Sequence, residues 1–337
     1  MTVKNLKHLL ILGLLLHAGY SSAQAIPEEG RQTVDDILFL ADVFAAPAAS
    51  SAAYQATAGW FTSARALEEW KVDISLHGNA LFVPKSKQEF SLNNSDFNVL
   101  RIGGGSNGAL IPTAFGKKSD VYYEGNIDGN DFQFDAIDGI DKEVVFYPFP
   151  QISLGLPYGT EVAVRALPEM SVSGSRFSSY GAAIKHNFSQ YFRFNEEEDL
   201  QVAGIISYNL FDLKYNEFDP LVLDYAFNGT STNLITARII DVSADMWMFK
   251  GVASKRYENF EIFGALGVVS SNFEYELGGS GALLGYANEE LKTIGGNETQ
   301  FKGDIGFNLL FDRFKISTMA TAGNYFNINM GLHFILN

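Results

Sequence analysis

The chain has 337 residues, no cysteine, and 39 acidic against 24 basic side chains, a formal net charge of −15 at pH 7. Without cysteine there is no disulfide, no thiolate nucleophile or metal ligand and no lipid-modified N-terminal Cys. A chain this acidic repels phosphate backbones, which sets nucleic acid aside as a partner.

Lys4 and Lys7 precede the apolar run Leu9 to Leu16, and Ser21, Ser22, Ala23 and Ala25 follow it. That is the layout of a secretory signal, with residues 1–23 as its extent and cleavage after Ala23 or Ala25 both fitting. The run is too short to cross a bilayer as a helix. No later apolar run reaches the ~18 residues of a membrane helix, so a membrane form of this chain has to be a closed β-barrel.

Residues 26–69 read as helix. Thr33 is a candidate N-cap ahead of Asp35 and Asp36, and Val34, Ile37, Leu38, Ala41 and Phe44 recur at helical spacing. Pro47 interrupts, and Ser50-Ser51 starts a second helix through Tyr54, Ala58, Phe61 and Leu67. Two such helices ahead of a barrel bury their apolar faces either as a plug in the lumen or as a cap on the periplasmic mouth.

From residue 70 onward the period is two. Val72, Ile74, Leu76, Ala80 and Phe82 alternate with Lys71, Asp73, Ser75, His77 and Asn79. Leu200 to Leu210 and Phe301 to Phe311 repeat the pattern, with Lys302, Asp304 and Asn308 on the polar side of the second. The final stretch does so again, Phe326, Ile328, Met330, Leu332, Phe334 and Leu336 against Asn327, Asn329, Gly331 and His333. Such runs approach the roughly 9–11 residues of a bilayer-spanning strand. Phe 28, Tyr 15 and Gly 32 suit a β protein with aromatic girdles. Asp128-Gly129, Asp138-Gly139 and Asn228-Gly229 are hairpin-turn signals, and a face reversal near Asp241 suggests a bulge or turn. About 265 residues at roughly 20 per strand and loop give an all-β transmembrane antiparallel barrel of about 12–14 strands over residues 70–337.

Lysines, carboxylates and histidines on the polar faces are the candidates for the lumen or a substrate path: Lys71, Asp73, His77, Glu161, Arg165, Lys185 and His186. Glu161 and Arg165 share one face and read as charges that tie strands or a plug together. Asp128, Asp131 and Asp135 fall in a stretch spaced like a calcium loop, but Asp131 stands where that loop needs Gly, so this is a weak metal candidate and a solvated loop facing lipopolysaccharide is the plainer reading. His186 and Ser189 are the nearest Ser–His pair for lipid hydrolysis, and a spacing of three puts them on opposite faces of a strand. No catalytic residue and no cofactor is expected.

The run from Tyr147 and Pro148 through Pro150, Gly155, Pro157, Gly159, Thr160, Glu161 and Arg165 to Pro168 resembles an uncharacterised family of Gram-negative outer-membrane proteins. So do Gly181 to His186, Gly59 to Ala64, and Ile111 to Gly116. A helical N-terminal segment before an acidic barrel is similar, in architecture, to FadL-type transporters of hydrophobic compounds. The resemblances imply a cell outer-membrane barrel, and the expected function is a channel or transporter for small hydrophobic molecules. An accessory barrel of a secretion or surface-assembly machine is the alternative, and a lipid-acting barrel enzyme a remoter one.

Overall fold

The structure is a computed structural model that describes residues 26–172, 175–192, 200–216, 219–227 and 230–336. Helix α1 (Glu28–Ala56) comes first, then strand β1 (Val72–Phe82). Five short strands follow: β2 (Glu89–Asn93), β3 (Arg101–Ile102), β4 (Gly108–Pro112), β5 (Tyr122–Ile127) and β6 (Asn130–Asp135). The chain continues with β7 (Val144–Leu156), β8 (Thr160–Val172), β9 (Ser175–Asn187), β10 (Leu200–Tyr215), β11 (Leu221–Phe227), β12 (Thr230–Tyr257) and β13 (Phe260–Ser280). Helix α2 (Leu284–Ile294), β14 (Asn297–Phe311), β15 (Phe314–Gly323) and β16 (Phe326–Leu336) complete it.

The wall runs β1, β7, β8, β9, β10, β12, β13, β14, β15, β16, every pair antiparallel, and β16 pairs with β1 along the whole length of both to close the ring. The ring closes, the condition for a sheet in lipid, but β7 and β8 pair only between Gln151–Leu156 and Thr160–Arg165, so residues 144–150 and 166–172 are not laddered to each other toward the loop end. Ten strands form the ring instead of the 12–14 expected. Two features absorb the difference: β12 and β13 are 28 and 21 residues long, and residues 83–143 leave the wall to build a cap. At about 3.3 Å per residue β12 spans roughly 90 Å, so it stands well proud of any bilayer. Its upper part carries β11, which pairs with it outside the ring.

Side-chain alternation sets inside and outside. Leu76, Phe146, Val164, Leu266, Phe301, Ile305, Met330 and Leu332 face outward and are more than half exposed. Their strand neighbours Asp73, His77, Asn79, Gln151, Lys185, Lys250, Lys302, Asn308, Asn327 and Asn329 are buried inside. An apolar exterior and a polar interior on a closed ring define a transmembrane barrel. The face change expected near Asp241 is a bulge between Ala237 and Ile239, and β12 continues through Asp241 unbroken.

The ring has two different ends. At the turn end, Tyr158-Gly159, Glu258-Asn259 and Asp312-Arg313 link strands tightly. The β7–β8 turn is three residues long, Pro157 to Gly159, and Tyr158 and Gly159 both take left-handed φ (61° and 62°). At the loop end sit the cap, β11 and α2. Asp128-Gly129 makes the β5–β6 hairpin with φ of 49° and 83°. Asp138-Gly139 makes none, because Gly139 lies against the Thr113 and Gly116 carbonyls in an irregular stretch. Asn228-Gly229 lies outside the described residues.

Residues 28–56 form one helix, not two. Pro47 sits inside it. The helix survives because both halves are held: Asp36 accepts the Asn98, Val99 and Leu100 backbone N–H groups of the cap at 2.8, 2.8 and 2.9 Å, and beyond the proline Ala49, Ala53 and Tyr54 are buried in the barrel mouth. Tyr325 Oη donates to the Pro47 carbonyl at 3.0 Å. By length and composition α1 is apolar enough to cross a bilayer, although charged residues interrupt its apolar run, and just over half of its most apolar stretch is buried against protein.

Leu266 lies seven residues into β13 from the turn end, opposite Gly251 and Gly303, and is 77% exposed. We expect Leu266→Lys to cost about 2–4 kcal/mol, the range for a cation at mid-bilayer. Urea titration of protein refolded into liposomes measures it, and a cost near zero would show that this face does not meet hydrocarbon.

Candidate functional site

The lumen is filled by the chain's own N-terminal segment. From the end of α1 at the loop end, residues 57–70 run down the inside of the ring to the turn end, where Trp70 N–H donates to the Gly155 carbonyl at 2.8 Å and β1 begins. A non-helical backbone in this position has no strand ladder to satisfy it, and each unmet polar group costs about 1–3 kcal/mol.

The wall supplies the partners. Lys302 Nζ donates to the Tyr54 carbonyl and Thr57 Oγ1, and Arg165 to the Ala56 and Ala58 carbonyls at 3.1 and 2.9 Å. Below these, Gln151 donates to the Trp60 carbonyl, Asn308 to Thr62, Lys185 to Ser63 and Arg65, and Asn187 to Ala64. Glu161 accepts Leu67 N–H, and Ser254 Oγ accepts Ala64 N–H.

Side chains lock the same segment. The Arg165 guanidinium lies between the Trp60 and Phe149 rings, 4.1 and 3.7 Å from their centroids, and Trp60 Nε1 donates to Asn209. Gly181 makes room for Trp60, since a Cβ there would stand 2.7 Å from the indole. Gly59 takes φ +69°, and a Cβ on it would meet the Asn329 side chain at 2.8 Å.

Two ion pairs are buried in the lumen. Lys185 meets Glu161 at 2.8 Å, and Lys250 meets Asp304 at 2.6 Å. Asp73 accepts His333 Nδ1 at 2.8 Å, with Lys315 3.6 Å away, and His333 Nε2 contacts Ser317 Oγ at 3.0 Å. Asp, His and Ser in that order have the connectivity of a hydrolase triad. Access separates the two: Ser317 is wholly buried, and the 80 Å³ cavity that touches Asp73 and His333 does not reach it. Gly331 packs so closely that a Cβ would lie 2.5 Å from Ser317 Oγ. This relay ties β1, β16 and β15 together at the ring's closing seam.

Of the lumen candidates, Asp73, His77, Glu161, Arg165 and Lys185 all point inside. Glu161 and Arg165 do not pair with each other; each holds the plug separately. His77 stacks on Phe149 and contacts Asn329 and Ser75. Lys71 stands half-buried at the turn end, paired with Glu68 at 2.8 Å. His186 is a correction: Lys185 and Asn187 face inward, so the two-residue period turns His186 outward, where it meets Thr160, Phe188 and Tyr191. Its supposed partner Ser189 is buried and contacts Val202 and Asn187. Asp128, Asp131 and Asp135 do not converge: Asp128 accepts Tyr225 Oη, Asp131 accepts the Asn126 amide, and Asp135 borders a cavity that neither of the others lines. Among the described residues no three His, Asp or Glu side chains gather as a metal set. Trp60, Gln151, Asn187, Lys250 and Glu261 were missed as site residues, although inward phase was the readable signal for all but Trp60.

A second space opens at the loop end. A cavity of about 930 Å³ lies between α1 (Ile37, Leu40, Phe44), the cap (Phe90, Tyr123, Phe134) and the raised wall (Leu221, Ile240, Leu277). Burial pushes the Tyr123 phenol above its ordinary range. Tyr286 of α2 donates to Asp35 of α1 at 2.8 Å, and burial together with that carboxylate pushes its phenol up to about 12, so it stays a donor.

Among solved structures the chain is similar to Ail, the attachment invasion locus protein of Yersinia pestis, at 10% identity and a TM-score of 0.27, over 80% of this chain and 100% of that one. It is similar to the β domain of the Bordetella autotransporter BrkA at 7% identity and 0.33, over 79% and 98%, and to the Ralstonia pickettii toluene transporter TbuX at 7% and 0.29, over 80% and 90%. Likeness at this level transfers no activity, and the ring stands on its own strand pairings. No curated protein matches the chain. The sequence of residues 3–336 matches a family of unknown function, DUF6588, and the chain belongs to that family.

Proposed function

We propose that this is a cell outer-membrane barrel that takes small hydrophobic molecules from outside, with its N-terminal segment as the gate. Residues 1–23 are its export signal, and outer-membrane lipid and lipopolysaccharide surround the ring. The observation that carries the reading is the 930 Å³ loop-end cavity, because one of its walls is α1, the element continuous with the plug. Pockets of this size suit small organic ligands. A molecule seated against Ile37, Leu40 and Phe44 touches the gate itself, and a ligand shifts a conformational equilibrium only through such unequal contact with its two states. No chemical step is assigned.

One observation favours the non-transporting accessory barrel: wall side chains hold eight of the twelve carbonyls from Tyr54 to Arg65. The two readings part on transfer. Cells making the protein should take up the apolar dye N-phenylnaphthylamine several-fold faster than cells without it, and Phe44→Asp should abolish the gain. Equal rates in all three would leave the accessory reading. In planar bilayers the wild type should be closed to ions. Arg165→Ala removes the donors to two plug carbonyls, worth about 1–3 kcal/mol each, and should produce bursts of conductance. A variant as silent as the wild type would mean that the plug is a permanent filler.

Tight turns face the periplasm and long loops the exterior in barrels of this kind. The segment then enters the lumen from outside, and Glu28, exposed at the loop end, lies at the cell surface. An epitope inserted directly before Glu28 should be stained by antibody on intact cells; staining only after permeabilisation would reverse the orientation.

A further inference from the structure

We propose that the loop-end cavity selects amphiphiles with a cationic head, small amines on an apolar body, an inference that rests on the capture reading above. Its charged lining is of one sign: Asp120, Asp135, Asp138 and Asp219 border it, and no Lys or Arg does. Lys118 stands 3.6 Å from Asp138, but its side chain is 89% exposed. Asp138 is engaged by Ser119 N–H, whereas Asp120 and Asp135 have no hydrogen bond or ion pair to any described residue.

The deeper wall carries the second, independent sign. Tyr123 is 2% exposed and lines the cavity, packed edge-on against Phe97 and tilted against Phe134, and its hydroxyl has no hydrogen bond to any described residue. A phenol buried this far is normally paired, so an unpaired one facing a cavity points to a ligand's polar group. Its oxygen can accept from an ammonium, and the faces of Tyr123 and Phe134 attract a cation. The apolar body would lie along Ile37, Leu40 and Phe44, and the ammonium would face the carboxylates. An anionic amphiphile meets the same walls with its charge repelled.

The test is isothermal titration of the full-length protein in nanodiscs with 4-phenylbutylamine, 4-phenylbutanol and 5-phenylpentanoate, which share one phenylbutyl body. The amine should bind about tenfold tighter than the alcohol, a difference near 1.4 kcal/mol, and the acid weakest of the three. Raised salt should shrink the amine's advantage. The double variant Asp120→Asn, Asp135→Asn alters exposed side chains only and should erase that advantage while leaving the alcohol's affinity unchanged. Equal binding of amine and alcohol, or tightest binding of the acid, would overturn the charge selection and leave the cavity a capture site for hydrophobic molecules. If none of the three binds, this inference falls, and the dye-uptake result decides the transport reading separately.

Discussion

The structure depends on one constraint, that a stretch of non-helical backbone lies inside a ring of strands and must find all its hydrogen bonds there. An aqueous lumen would meet that demand with water. Here the wall meets it with Arg165, Lys185, Lys302, Gln151, Asn187 and Asn308, whose long or forked donors reach carbonyls of the plug. The inward face of the barrel is therefore polar for a different reason from that of an open pore. Its polar groups replace solvent around a particular chain. The same demand accounts for Gly59 and Gly181, where the plug and its tryptophan approach the wall more closely than a side chain permits.

Energetically this makes the closed state cooperative. Removing one member of a buried pair such as Lys185–Glu161 leaves an uncompensated charge, a cost of about 3–5 kcal/mol. Lys185 also holds the Ser63 and Arg65 carbonyls, so the pair cannot be loosened without loosening the segment. In the proposed gating reading, opening would free several contacts together and draw its binding energy from outside the lumen, and α1 would be the lever, because its first half is packed against the cap and the cavity while its second half enters the ring.

Much of the wall was legible from period two alone. Phe326 to Leu336 and Val72 to Phe82 are placed as their alternation implies, and the inward phase of Asp73, His77, Glu161, Arg165 and Lys185 follows from it. His186 was misplaced for want of the same rule, since Lys185 beside it already occupies the inward face. The strand count was not legible, because an average strand length hides both the 28 residues of β12 and the cap inserted after β1. Pro47 misled because local chemistry favours a break there, while contacts to residues 98–100 and 325, distant in sequence, hold the helix straight through it. The loop-end cavity could not be read at all. Its walls come from α1, the cap, β10, β11, β12 and β13, and no pattern within any of them marks a shared space.

The order of assembly follows from where the plug lies in the chain. It directly precedes β1, and β1 pairs with β16 to close the ring. Trp60, clamped between Arg165 and Asn209 in mid-lumen, cannot be drawn in past Lys185, Glu161 and Asn187 once those side chains fill the turn end with their own pairs. The segment must be in place while the sheet is still open, and the Asp73–His333–Ser317 relay then forms across the last seam as the ring shuts around it. A seam made of buried polar contacts that exist only in the closed register also rejects a slip of one residue, because such a slip would turn Asp73 and His333 out into lipid. The N-terminal segment is thus the core on which the inner face of the sheet is satisfied, and in the proposed transport reading it is also the obstruction that a transported molecule would have to move.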